Sequence, residues 1–243
     1  MKRTTIKFLC ALFALWITVS PVFALNDDIY AWGGFGKKDN VYSCAKTDEK
    51  VIALTFDDGP HPSITPRILD ILKKYDVKAT FFAIGKNIET YPEPLIRAAS
   101  EGHEIGNHTY SHLTGQHTNK ETLEKELLKT DELIKKLTGK RPVLYRPPTG
   151  YCNLTTVKSA ADLNYKIIIW TVDTLDWAHT SAEKIADNII SNIKNGSIVL
   201  MHDYNTKPYY TVEALEIVLP KLQDMGYSFV TVSELIALDC DTD

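Results

Sequence analysis

The sequence predicts a single α/β domain built on a parallel sheet. Three observations carry this. Short apolar runs alternate with helix-periodic segments from Val51 almost to the C-terminus, and residues 165–172 are nearly all apolar or β-branched, as a strand covered on both faces requires. The length of 243 residues, 44% hydrophobic and 24% charged, suits one domain with a sizeable core. The alternation allows an open doubly wound sheet or a closed barrel. The polar clusters favour the barrel: Asp57-Asp58, His108, Arg146, Asp173 and His202 each follow a strand-like run, so they would gather at the carboxyl ends of different strands, as in barrel enzymes. An open sheet would concentrate a site at one switch point.

Taken in order, residues 25–48 form a polar, Gly-containing leader, and the domain is expected over 49–243. Residues 51–56 read as a strand and 64–75 as a helix, with Pro66 in the first turn, where a missing N–H is tolerated. A strand follows at 80–84, a helix at 92–100 stopped by Glu101-Gly102, and a short strand at 104–106. In 121–137 the apolar residues Leu123, Leu127, Ile134 and Leu137 fall near helical spacing, and Gly139 ends the helix. Residues 143–145 are a strand cut off by Pro147-Pro148. The helix at 154–163, the strand at 165–172, the helix at 182–193, the strand at 197–201, the helix at 212–222 and a last strand at 227–232 complete roughly seven β/α units.

The first residues carry Lys2, Arg3 and Lys7, then an apolar run, then Val22-Phe23-Ala24. That pattern reads as an export signal cleaved after Ala24, which would place the mature protein outside the cell or facing the envelope. Read instead as an uncleaved membrane anchor, the run to Leu25 is barely long enough and is interrupted by Thr18, Ser20 and Pro21. Cleavage removes three basic residues and no acids, making the mature chain more acidic than the −4 of the whole sequence. Nucleic acid is therefore not an expected partner, since phosphate binding favours clustered Lys and Arg. Beyond Cys10 in the signal, three cysteines remain, Cys44, Cys152 and Cys240. They permit at most one internal disulfide, and a Cys44–Cys240 bridge would tie the domain ends together if the termini meet.

His108 and His112 in HTYSH are four apart, which on a helical turn lets both imidazoles reach one metal. Alone, that spacing carries little. With Asp57 and Asp58 it gains weight: two histidines and one carboxylate leave metal positions open, and the second carboxylate is free to take a proton. Asp57-Asp58-Gly59-Pro60 would otherwise be an ordinary turn after a strand. Likewise Arg146 in YRPP, DTLDW and the histidine of LMH each have a plain reading as loop, strand exit and satisfied core histidine.

The joint pattern decides. TFDDGP, HTYSH, RPPTG, DTLDW and LMH stand in the order and approximate spacing of the five motifs of the polysaccharide deacetylase family, the carbohydrate esterase family 4 group with the NodB homology domain. The chain resembles that family over about residues 50–236. The resemblance implies a distorted (β/α)7 barrel and metal-dependent removal of acetyl groups from a glycan. It implies Asp57 as general base, Asp58, His108 and His112 as metal ligands, Arg146 as the partner of Asp57, His202 as general acid and Asp173 as the group that orients His202. Trp177 and Leu200 would wall the acetyl-methyl pocket, and a backbone N–H of the RPPTG loop would meet the oxyanion. Thr149 departs from the aromatic, typically Tyr, that usually follows the Pro-Pro, and Tyr151 lies two residues on; this bears on the shape of the sugar pocket.

The implied cofactor is one divalent metal ion, Zn²⁺ first and Co²⁺ or another divalent ion as alternatives. The implied partner is a glycan, with no protein partner. Peptidoglycan is the first substrate expected, ahead of chitooligosaccharides and O-acetylated xylan, and the non-enzymatic alternative is a glycan-binding barrel without turnover. Cys152 is expected as a small buried filler. His103, His117 and His179 are expected on the surface or in packing, as is His61, which follows DDGP closely enough to approach the site.

Overall fold

The structure, a computed structural model, describes residues 36–204 and 210–239. The expected export signal and Cys240 lie outside the described residues, and the expected Cys44–Cys240 bridge with them.

The first strand comes from within the leader: β1 is Val41–Tyr42. Next come β2 (Val51–Asp57), α1 (Ile64–Lys74), β3 (Thr80–Ala83), α2 (Gly85–Thr90), α3 (Pro92–Ser100), β4 (Glu104–Asn107), α4 (Lys120–Thr138) and β5 (Leu144–Tyr145). The second half holds α5 (Leu154–Asp162), β6 (Lys166–Ile168), β7 (Val172–Asp173), α6 (Ala182–Asn192), β8 (Ile198–His202), α7 (Thr211–Asp224), β9 (Ser228–Phe229) and α8 (Val232–Ala237). Local chemistry sets many of these ends. Asn119 and Asn153 accept from the backbone N–H of Thr122 and Thr156 at the starts of α4 and α5. Gly139, at φ 77°, ends α4 in the left-handed conformation.

All strand pairs in the ladder are parallel, in the order β1-β6-β5-β4-β3-β2-β8-β7, with β9 beside the start of β2. The expected single strand over 165–172 is divided, and its two halves have different partners. β6 pairs with β5, whereas β7 pairs with β8. One stretch of chain thus meets both ends of the sheet and curls it into a distorted barrel. It cannot hold one register with both neighbours, so the ladder breaks between Ile168 and Val172. The leader spans the break: β1 lies on β6, and the Ala45 N–H donates to the Gly196 carbonyl at 2.9 Å. A Cβ on Gly196 would fall 1.8 Å from the Ala45 carbonyl oxygen, so only glycine fits there. Part of the expected leader is therefore barrel wall. Lys37 also meets Asp239 at 3.2 Å, bringing the leader against the end of the described chain.

The last expected strand is cut to Ser228–Phe229, because Thr231 and Glu234 form a capping box that starts α8. Helix α2 was not expected; at six residues it is too short to display a period.

Alternation along each strand separates the core into layers. From β2, Ile52, Leu54 and Phe56 pack outward under the helices with Ile68, Leu72 and Leu215. Val51 and Ala53 point inward among Phe82, Leu144, Ile168 and Ile198. The same period sends Thr55 and Asp57 inward, and in β8 it puts Leu200 and His202 on the face of Ile198. The strand ends therefore deliver their polar residues to one mouth of the barrel.

Candidate active site

Asp57 ends β2 almost completely buried, and its Oδ1 accepts from Arg146 Nη1 at 2.7 Å. Arg146 leaves β5 and is fully buried in the barrel mouth, its guanidinium 4.2 Å from the centre of the Phe82 ring. It also donates to Thr55 Oγ1 at 2.7 Å and to the carbonyls of Ile168 and Ile169 at 3.2 Å each. Those two carbonyls are free of the β7–β8 ladder because the strand breaks there. The break that closes the barrel thus also seats the arginine.

Asp58 takes the left-handed conformation, φ 77°. Its Oδ1 lies 3.4 Å from His108 Nε2 and 3.3 Å from His112 Nε2, is itself buried, and has no hydrogen-bond partner among the described residues. Ligand atoms of the three residues all lie within 4.8 Å of one another. The two histidines meet without a helix: Thr109 and His112 both have positive φ, and this turn brings the rings to 5.2 Å. His108 Nδ1 stands 2.8 Å from the Arg146 carbonyl. A carbonyl only accepts, so Nδ1 carries a proton and Nε2 is the ring nitrogen turned towards Asp58. An orphaned buried carboxylate oxygen and two imidazole nitrogens converging on one point fit a divalent cation. Burial opposes the charge of Asp58, but His108 and His112 outweigh it and hold the carboxyl well below its usual range. The Asp58 carboxylate in turn pushes His112 up.

The residue against His202 is Asp176, which corrects the expectation for Asp173. Asp176 Oδ1 lies 2.7 Å from His202 Nδ1, and its Oδ2 accepts from the His202 N–H at 2.9 Å and from Thr211 Oγ1 at 2.7 Å. The turn explains the exchange. Leu175, at φ 57°, reverses the chain after β7 and swings Asp176 back under the end of β8. Asp173 stays with the turn, accepting from the Leu175 N–H at 3.0 Å and the Trp177 indole N–H at 3.2 Å. Burial works against a charged His202, yet Asp176, then Asp57 and Asp58, push it up to about 9.

Of the remaining expected residues, Leu200 is buried in β8 and pairs in register with Asp173. Trp177 is half exposed, its indole held by the same Asp173. Thr149 is exposed, with φ 61° in the turn after Pro148. Cys152 is buried, and burial pushes its thiol up to about 12, as suits a filler. His61 serves α1, its Nδ1 accepting from the Ile64 N–H at 3.1 Å. His103 is buried and accepts from the Ala79 N–H at 3.2 Å; burial pushes it down to about 4. His179 is exposed.

Two residues near the site had no sequence signal. Glu126 of α4 accepts from the N–H of Tyr110 at 3.0 Å and of Ser111 at 2.6 Å, between the two histidines. Asp203 is buried under Gly59.

Known proteins carry the same arrangement of chain. The family model described as polysaccharide deacetylase matches residues 45–168. A peptidoglycan-N-acetylglucosamine deacetylase of Bacillus cereus is 44% identical over 191 residues, 78% of this chain and 89% of the relative. A crystal structure of a peptidoglycan N-acetylglucosamine deacetylase in complex with 4-naphthalen-1-yl-N-oxidanyl-benzamide superposes with a TM-score of 0.79 at 39% identity, covering 83% of this chain and 94% of that one. A family 4 acetyl xylan esterase from Clostridium thermocellum in complex with a cobalt ion gives 0.72 at 36% identity, over 78% and 91%. The barrel, the five motifs and these likenesses agree: the chain belongs to the polysaccharide deacetylase family of hydrolases.

Proposed function

We propose that the protein is a metal-dependent hydrolase that removes acetyl groups from the amino sugars of peptidoglycan. The observation that carries this is the meeting, at one barrel mouth, of the Asp58–His108–His112 set with the Asp57–Arg146 and His202–Asp176 pairs. An acid, a base and a cation site on one face are the parts amide hydrolysis needs.

Asp58, His108 and His112 would hold the ion, Zn²⁺ first by its ligand set and Co²⁺ as an alternative. Bound there, a divalent cation lowers the pKa of water and polarises the acetyl carbonyl. The chain's own groups do the rest. Arg146 fixes one Asp57 oxygen, leaving Oδ2 on the side of His108, 3.9 Å from its Nε2; that oxygen takes the proton of the attacking water. Expelling an amine requires protonation of the leaving nitrogen. His202 supplies that proton from Nε2, since Asp176 occupies Nδ1 and favours the imidazolium. A backbone N–H of the Pro148–Gly150 turn is assigned to the oxyanion. Leu200 and Trp177 are assigned to the acetyl methyl group.

Peptidoglycan is preferred because the Bacillus cereus relative bears that activity in its name; the acetyl xylan esterase likeness keeps an O-acetyl substrate as the second reading. The export signal read from the sequence puts the protein at the cell envelope. No helix of the described residues is long and apolar enough to cross a membrane. The test is acetate release by the metal-loaded mature protein on peptidoglycan, chitooligosaccharides and acetylated xylan. Release from peptidoglycan, abolished by chelator, is expected. Release undiminished after complete metal removal overturns the mechanism, and release from acetylated xylan alone overturns the substrate.

A further inference from the structure

Asp203 directly follows His202 and is 1% exposed. Its N–H donates to the Asp57 carbonyl at 3.0 Å, continuing the β2–β8 ladder past the strand ends. Its carboxylate accepts from Thr65 Oγ1 at 2.5 Å and packs against the Gly59 backbone. The fit under the turn is close: a Cβ on Gly59 would lie 2.1 Å from Asp203 Oδ2 and 2.3 Å from Oδ1. Oδ1 is buried without a hydrogen-bond partner among the described residues and borders a small cavity lined by Gly59, Pro60 and Thr65. Burial, then Asp58 and Asp57, push the carboxyl up to about 7.

What lies above this carboxyl is the strained point of the site. Asp58 is a side-chain-bearing residue at φ 77°, a conformation that persists when its surroundings over-determine it. Three contacts from different elements do so. Asn87 Nδ2 of α2 donates to the Asp58 carbonyl at 2.7 Å, the Ile84 N–H donates to the Gly59 carbonyl at 2.9 Å, and Asp203 donates its N–H to the Asp57 carbonyl at 3.0 Å with its carboxylate seated against Gly59. Only the last also connects the turn to the strand that carries His202.

We propose that Asp203 is a positioning residue: a buried carboxylate, held by the Thr65 hydroxyl and seated against Gly59, that clamps the Asp57-Asp58-Gly59 turn, so that Asp58 meets the two histidines and the acid and base keep a fixed separation. This rests on the metal reading above. It gives a physical reason for Gly59 that is independent of turn propensity, because any side chain there would displace the clamp.

The test is Zn²⁺ affinity, measured by competition with a chromophoric chelator, together with thermal unfolding of the metal-free protein. Asp203→Ala is expected to weaken Zn²⁺ binding about 10–100-fold, the usual cost of losing a partner that orients a ligand. Asp203→Asn keeps an acceptor oxygen and is expected to recover most of that loss. Thr65→Val removes one donor to the clamp and is expected to lower affinity several-fold, which decides the matter even if Asp203→Ala does not fold. A folded Asp203→Ala that binds Zn²⁺ as wild type does, with only its unfolding temperature lowered, overturns the proposal. So does an Asn variant as impaired as Ala, or Thr65→Val with unchanged affinity. Wild-type protein that binds no Zn²⁺ refutes the metal reading itself, and the clamp with it.

Discussion

Arg146 Nη1 lies 2.7 Å from Asp57 Oδ1, and neither side chain is open to solvent. A buried pair of this kind is not itself a large source of stability, but breaking it is costly, about 3–5 kcal/mol, because one charge is left uncompensated. Arg146→Met should therefore destabilise the fold by about that amount in urea unfolding. Asp57→Asn keeps an acceptor for Arg146 and should leave Zn²⁺ bound, yet reduce kcat by about 10²–10⁴-fold, the contribution of general base catalysis. Wild-type turnover in Asp57→Asn would exclude it as the base.

The His202–Asp176 bond predicts a pH profile. The folded protein raises His202 from 6.5 to about 9, so it is protonated at neutral pH and loses its proton as pH rises through that range. Activity that needs the imidazolium should fall on the alkaline side, below about 9 once a cation occupies the site and repels the charge. The stability from this pair follows the same sign: present in full below the unfolded value, lost as pH rises. Asp176→Asn should move the alkaline limb down towards about 6.5, the value of an unperturbed histidine. Asp173→Asn should leave the limb in place and act instead through Trp177. A shift with Asp173→Asn and none with Asp176→Asn would make Asp173, not Asp176, the group that orients His202.

Much of this site was legible before the fold was known, because the chemistry sits where regular structure stops. Asp57, Asp58, Arg146 and His202 each follow a β-like apolar run, and a period of two fixes which of them enter the barrel. What was not legible depends on turns. Asp173 and Asp176 are both acids in DTLDW, and only the left-handed Leu175 decides which one meets His202. The HTYSH pair reads as helical spacing, but positive φ at Thr109 and His112 brings the rings together. The divided strand at Ile168 to Val172 could not be foreseen, since both halves are apolar and the break arises from closing the barrel.

Metal binding should be visible in stability. A ligand that binds only the folded state at about a hundred times its Kd adds about 2.7 kcal/mol. Zn²⁺ should raise the wild-type unfolding temperature and a chelator should reverse the rise. His112→Ala should abolish the response with little effect on the metal-free protein, because His112 is partly exposed. His108→Ala should abolish it and also destabilise the metal-free form, since its Nδ1–H bond to the Arg146 carbonyl is buried. Because His112 is pushed up by Asp58, protons compete with the cation, and affinity should fall as pH is lowered. A thermal response to Zn²⁺ that survives both substitutions would exclude this site as its origin.

Glu126 offers the remaining prediction. From α4 it receives the N–H groups of Tyr110 and Ser111 on one oxygen and the Ser111 hydroxyl at 3.0 Å on both, so one carboxylate holds the centre of the loop whose ends are His108 and His112. With Thr109 and His112 in the left-handed region, the loop cannot satisfy those donors within itself as a helix would. Removing the carboxylate leaves partly buried N–H groups unpaired, at about 1–3 kcal/mol each where water does not replace it. Glu126→Ala should therefore weaken Zn²⁺ binding about 10–100-fold while leaving the acid and base untouched. Its signature is recovery: saturating Zn²⁺ should restore most of kcat in Glu126→Ala, whereas Asp57→Asn stays inactive at any metal concentration. Unchanged Zn²⁺ affinity in Glu126→Ala would mean that the helix and the loop are energetically independent despite their contact.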